Sequence, residues 1–305
     1  DDAEALRLEI SDLAELRHIP SGRDVADHEM SINWAKFPIR EMYKRNWFAA
    51  FFTGSLDDAL KNTEHLAKAF VHGVVPDPAP VLLRSHLRTG ATMNRYALLA
   101  WQCRVLTLAA RRPPAQTFRR KTADYEWLNG LVRCSAHEEG PIRAREYLED
   151  SGISLVIEPP LQHTYIDGAA LLLRGRPVIG LTLRYDRLDN FWFALLHEVA
   201  HVITHLRRGT LEDIIDDLDA KPDEVETEAD KFAANALVPD NVWETALARY
   251  LQTEESVRQL AEELQVSPAI IAGRIRRETN NYMVLTGLVG QGRVRKLFGE
   301  VEFGQ

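Results

Sequence analysis

Cysteine is scarce: Cys103 and Cys134 stand 31 positions apart and form no CxxC, which argues against both a disulfide framework and a cysteine-built metal cluster. Such usage suits a reducing cytoplasm. Long apolar runs are missing as well. Stretches such as Phe191 to Leu196 fall far short of the roughly 20 residues a membrane-spanning helix needs, and no charged-then-apolar leader opens the sequence. The expectation is a protein that neither enters a membrane nor is secreted. Basic excess is absent too, since 37 Lys and Arg face 45 Asp and Glu for a formal charge of -8. A broad nucleic-acid surface is therefore excluded, and any DNA contact has to be local. Residue 1 is Asp rather than Met, so a further stretch upstream is expected.

What is present is ordinary globular material. Of 305 residues, 45% are hydrophobic and 27% charged, enough apolar mass for a core and too little bias for disorder. At roughly 100 to 200 residues per domain, the length suggests two domains. Residues 1–18 space Leu6, Ile10, Leu13 and Leu16 as a short helix, stopped by Pro20-Ser21-Gly22. From Asn33 to about Ala110 the apolar spacing stays helical, through Trp47, Phe48, Phe51 and Phe52 and then a long stretch from Tyr96 to Ala109. Residues 1–110 are thus expected to be an all-α domain.

Residues 111–121 hold Pro113-Pro114 among basic residues with no apolar period, and they read as a solvated linker and a domain boundary. Helices are expected over residues 124–136 and 141–149. Apolar runs at 153–157, 169–173 and 178–183 follow, the last two joined by Arg174-Gly175-Arg176-Pro177 as a hairpin turn. Strands ahead of helices in this order predict an α+β fold, mostly helical, with a small antiparallel sheet and active-site helices in residues 122–250 and a helical region over residues 251–305.

The chemistry concentrates in His197-Glu198-Val199-Ala200-His201, an HExxH inside an apolar stretch. At 3.6 residues per turn both imidazoles lie one above the other on one face, and Glu198 lies about 100° around the axis, beside an ion and free to act on water. Chance would produce the bare motif about 0.02 to 0.03 times in such a chain. Burying three polar groups in so apolar a helix costs several kcal/mol unless they are paired, and a metal with its water would satisfy all three.

A catalytic zinc site needs a third protein ligand. The metzincin arrangement would need Gly at position 204 and His at 207, where Thr204 and Arg207 stand. His205 lies a further turn along the axis, too far to share the ion. The segment from Glu226 to Asn235 offers a better donor. Glu226 and Asp230 stand four apart, so the first can ligate zinc while the second accepts the other ring N–H of a ligand histidine. Glu228 is the rival ligand, about 200° away on the same helix. Between the two helices, residues 211–223 carry Glu212, Asp213, Asp216, Asp217, Asp219 and Asp223, which reads as a solvated acidic loop.

These residues resemble the ImmA/IrrE family of zinc metallopeptidases. The resemblance rests on the apolar helix ending in HExxH at residues 195–201, the Glu-x-Glu-Ala-(Asn/Asp)-x-Phe-Ala block at 226–239 closing in Leu-x-Pro, and a helical pair around 260–275 with helix-turn-helix flavour. It spans about residues 122–296. Asp230 and Ala200 depart from the Asn and Gly that relatives frequently carry. Residues 33–47 are similar to the helical insert of longer members, in which a repressor-type helix-turn-helix precedes the protease; DNA contact would then come only through a module upstream of residue 1.

The resemblance implies a gluzincin-type endopeptidase that cleaves a repressor or antitoxin and so releases stress-response or mobile-element genes. His197, His201 and Glu226 are expected to hold Zn2+, and Asp230 to support a ligand histidine. Glu198 is expected to take a proton from water and pass it to the leaving amine. Tyr185 and His205 are candidates for stabilising the oxyanion. The other reading is a regulator or antitoxin whose zinc-peptidase fold serves as a sensor or partner-binding module with little proteolysis.

Overall fold

The computed structural model describes residues 32–74, 93–206 and 222–303, and Asn33–Gln305 cluster as one compact unit. The expected leading helix at 1–18 and most of the acidic stretch 211–223 lie outside the described residues. In chain order the helices are α1 (Ile39–Lys44), α2 (Leu56–Lys61), α3 (Thr63–His72), α4 (Arg95–Arg111), α5 (Tyr125–Arg133) and α6 (Gly140–Asp150). Strands β1 (Ser154–Ile157), β2 (Gly168–Leu173) and β3 (Arg176–Leu181) follow. Then come α7 (Leu188–Ala200), α8 (Pro222–Leu237), α9 (Asp240–Trp243), α10 (Leu247–Leu251), α11 (Glu254–Leu264) and α12 (Pro268–Glu278). The fold is α+β and mostly helical, as the sequence implies.

Several local expectations need correction. The aromatic residues Trp47 to Phe52 form turns rather than a helix. Asn46 adopts a left-handed conformation with φ 57°, which ends α1, and the rings pack instead as a cluster in which Trp47 stacks on Phe70 at 5.8 Å. The sheet is mixed rather than antiparallel. β2 and β3 form the expected hairpin, turning at Arg174 (φ 50°) and Gly175 (φ 74°), where two left-handed residues match the twist of the flanking strands. β1, however, pairs parallel to β3 on its other side, giving the order β1-β3-β2. The ten residues between β1 and β2 carry the chain across the sheet, so strand direction was set by a connection that apolar spacing does not encode.

Residues on both sides of the stretch 111–121 belong to the same compact unit. α4, on its N-terminal side, covers one face of the sheet: Gly180 faces Trp101 and Val105 so closely that an added Cβ would lie 2.9 Å from each. The indole of Trp101 donates to the carbonyl of Glu158 at 2.8 Å. Ile179 and Leu181 point to the opposite face and join Phe191, Trp192 and Leu195 of α7 in the main core. A strand covered on both faces needs apolar residues at every position, which is what β3 shows from Pro177 to Leu181. The proline stretch itself is tied down, because Arg176 donates to the carbonyl of Pro114 at 2.8 Å.

The loop after β1 is held from the N-terminal region. Arg45 donates to the carbonyls of Pro159 at 2.8 Å and Pro160 at 2.7 Å, and the buried Glu158 lies between Arg45 and Arg104. At the other end, α11 and α12 meet through Gln265, left-handed with φ 56°, and pack as part of the core through Leu260, Ala261, Ile271 and Ile275.

Candidate metal centre

α7 is held at both ends by distant segments. Its first amides, those of Leu188 and Asp189, donate to the carbonyl of Val289, and the buried Asp189 pairs with Arg187 at 2.9 Å. These contacts satisfy donors that a helix start otherwise leaves open. At the far end, residues His201–His205 widen into a π-turn, with the amide of Leu206 donating to the carbonyl of His201 at 2.7 Å. Wide turns of this kind concentrate at functional sites. The guanidinium of Arg120 closes the end by donating to the carbonyls of Val202 and Leu206, where a cation also complements the helix dipole.

α8 runs antiparallel beside α7, so that Glu226 and Asp230 meet His197 while Ala234 and Leu237 lie near Phe193. Ala229 and Ala233, both fully buried, let the two helices approach. Three donor atoms converge. Nε2 of His197 is 3.0 Å from Oε2 of Glu226 and 3.1 Å from Nε2 of His201, and Nε2 of His201 is 3.6 Å from Oε1 of Glu226. A tetrahedral zinc about 2.0–2.1 Å from each donor sets donors roughly 3.3 Å apart. The observed separations bracket that value, and two imidazoles with one carboxylate are a donor set zinc takes with a position left open for water. Among the described residues these three are the group whose atoms could hold a metal ion.

The neighbours fit the same purpose. Asp230 accepts from Nδ1 of His197 at 2.8 Å, which fixes the tautomer and turns Nε2 inward. Burial opposes a charged His197, but hydrogen bonds from its ring to Asp230 and Glu226, together with the charge of Glu198, outweigh it and push its pKa up to about 10. Hydrogen bonds from His197 and His201 hold the Glu226 carboxyl far below the ordinary carboxylate range. A divalent ion held by these donors would compete with a proton for the same ring nitrogens.

Glu198 is 6% exposed and lies against the first residue of β2: a Cβ on Gly168 would sit 2.9 Å from both its Cγ and Oε1. Among the described residues β2 is an edge strand of the sheet, and its first residue lies beside this carboxylate. Glu228 is exposed on α8 and stands outside the cluster. Tyr185 is 45% exposed, with its hydroxyl accepting from Arg184 at 3.1 Å; the side chain of His205 lies outside the described residues. The sequence reading singled out neither Gly168 nor Arg120. A lone Gly at a strand start carries a weak local signal, and Arg120 is hidden in what reads as a solvated connector. The buried thiol of Cys103 is pushed up to about 12 and has no part in the site.

Residues 148–276 match the model of the peptidase M78 family, described as the IrrE N-terminal-like domain. The chain carries an ImmA/IrrE-type domain. This domain is of the metallopeptidase type, and its match takes in β1 to β3, α7, α8 and the helices up to α12. No curated protein matches the chain. Among the described residues no helix is long and apolar enough to cross a membrane. Both Arg120 and the whole of α4 lie ahead of the matched ImmA/IrrE-type segment.

Proposed function

We propose that the chain is a zinc-dependent endopeptidase of the gluzincin type, working in the cytoplasm on a DNA-binding repressor or an antitoxin. The observation that carries this reading is the convergence of Nε2 of His197, Nε2 of His201 and the Glu226 carboxylate at separations of 3.0 to 3.6 Å. His197, His201 and Glu226 would hold the ion. Zinc would supply Lewis acidity there, polarising a peptide carbonyl and making water a better nucleophile.

The protein's own residues do the rest. Asp230 holds His197 in the tautomer that leaves Nε2 free to coordinate. Glu198 takes the proton of the attacking water and delivers it to the leaving amine, which needs a carboxylate beside the reacting carbonyl rather than on the ion. The edge of β2 takes an extended substrate segment by strand addition, with Gly168 keeping the space between strand and Glu198 open. Release of a repressor's hold on stress-response or mobile-element genes would follow from such a cut, and DNA would be reached through the substrate.

The test combines metal analysis with a cleavage assay. The purified protein should contain about one zinc per chain. Incubated with the product of its neighbouring gene, it should yield a defined fragment by mass spectrometry that the Glu198→Gln variant, still zinc-loaded, does not produce. Absence of zinc, or a fragment that persists in Glu198→Gln, would sink this reading.

A further inference from the structure

A cleft of about 230 Å3 opens between α7, α8 and α12. Its apolar wall is Phe193, Ala234, Leu237 and Ile270. Phe193 lies one helical turn before His197, with the two rings 6.3 Å apart, so the cleft continues the line of the site along the groove between the helices. Separate small-molecule pockets run to about 300–1,000 Å3; this cleft has room for one or two side chains.

The polar groups around it are engaged, with one exception. Asp189 pairs with Arg187, Arg274 with Asp240 and Glu278 with Arg249. Arg277 is exposed at the rim and has neither a hydrogen bond nor an ion pair among the described residues. Its guanidinium carbon stands 3.1 Å from the centroid of the Phe193 ring, which fixes a planar, five-donor cation one aromatic ring away from His197. Asp230, Asp189 and Asp167 bear on it only through longer-range charge. Among the charged side chains of the lining, Arg277 is thus the one without a direct ion pair among the described residues, and it stands above an apolar floor.

The geometry points to this cleft as a specificity subsite for an acidic residue of the substrate, with Arg277 receiving its carboxylate and Phe193 and Leu237 seating the aliphatic stem. The inference rests on the peptidase reading of the metal centre and names the side-chain class that such an enzyme would select. At about 3.3 Å per residue in an extended chain, the selected residue lies roughly two or three positions from the scissile bond.

Two sets of measurements test it. Randomised hexapeptide pools with one position fixed as Glu or as Gln are passed over immobilised, zinc-loaded Glu198→Gln protein, and the same pools are digested by the unaltered protein. At one position the Glu pool should be retained about fivefold better than the Gln pool. Arg277→Gln should level the two, Arg277→Lys should keep part of the preference, and Arg277→Glu should turn it toward a Lys pool. Equal retention of the Glu and Gln pools by the parent protein overturns the subsite. So does an Arg277→Gln variant that keeps the preference, or one that changes only zinc affinity, which would assign Arg277 to holding Asp230. Cutting without any acidic preference sinks the subsite and leaves the peptidase reading intact. An Arg277-dependent preference without cutting keeps the cleft as a binding site for an acidic side chain, but overturns both its role as a substrate subsite and the peptidase reading.

Discussion

Asp230 accepts a hydrogen bond from Nδ1 of His197 at 2.8 Å, and the opposite nitrogen of that ring consequently faces Glu226 and His201. Removing the carboxylate leaves the ring free to rotate and lowers its basicity. Asp230→Ala should weaken zinc binding by about 10- to 100-fold, while Asp230→Asn, which keeps an acceptor oxygen, should stay within a few-fold of the parent. Competition against a chelating dye measures both. Equal affinities for Asp230→Ala and the parent would remove Asp230 from the site.

Glu226 and Glu228 are separated by one residue and differ in role. Glu226→Gln should lose most zinc at micromolar chelator, and Glu228→Gln should retain it, because only Glu226 lies within reach of both imidazoles. Elemental analysis after dialysis decides between them, and loss of metal in both variants would contradict the geometry.

The pH dependence of the metal-free protein has a definite sign. His197 is raised from 6.5 to about 10, so its contribution to stability is complete below pH 6.5 and is lost as pH rises towards 10. Glu226 is depressed from 4.5, so its contribution is present above pH 4.5 and is lost as pH falls through its folded value. In chelator, the melting temperature should be highest where both act, between about pH 4.5 and 6.5, and decline on the alkaline side. Glu226→Gln should flatten that decline. Zinc affinity should rise over the same alkaline range, since protons and metal compete for the same ring nitrogens. A metal-free melting temperature that climbs from pH 6.5 to 10 would be incompatible with this pairing.

Gly168 is placed where no side chain fits. Gly168→Ala puts a methyl 2.8 Å from Leu181 Cδ2 and 2.9 Å from the Glu198 carboxylate. The overpacking should cost about 1–3 kcal/mol in chemical denaturation. Zinc content should be unchanged, whereas any hydrolytic activity should fall with the displaced Glu198. Activity equal to the parent's would mean that the carboxylate does not work from this position.

Arg120 closes the end of α7 by side-chain bonds to the carbonyls of Val202 and Leu206. Arg120→Ala should lower the melting temperature by a few degrees, an effect of order 1 kcal/mol, and weaken zinc binding through His201. Arg120→Lys, with a single donor head, should restore only part of either. A variant that melts lower with unaltered zinc affinity would limit Arg120 to a stabilising part.

The legible half of the site is the half written at helical spacing. His197 and His201 are four apart, as are Glu226 and Asp230, and in each case a single turn of helix brings the pair to one face. Gly168 reaches Glu198 across 30 positions, and Arg120 reaches Leu206 across 86; no local pattern encodes either approach. The sheet shows the same division. The β2-β3 hairpin follows from its turn residues, whereas the parallel pairing of Ser154 with Val178 depends on how a loop crosses the fold. The uninterrupted apolar run of β3 did carry the information that both its faces are covered, but not that the second cover would be α4, from beyond the supposed linker.

That cover sets the smallest piece of this molecule worth excising. A fragment trimmed to residues 148–276 keeps every donor of the metal centre, but strips Trp101 and Val105 from the back of Gly180 and turns a buried wall into a sticky exterior. The transferable module starts no later than Arg95, and shorter expression products should self-associate.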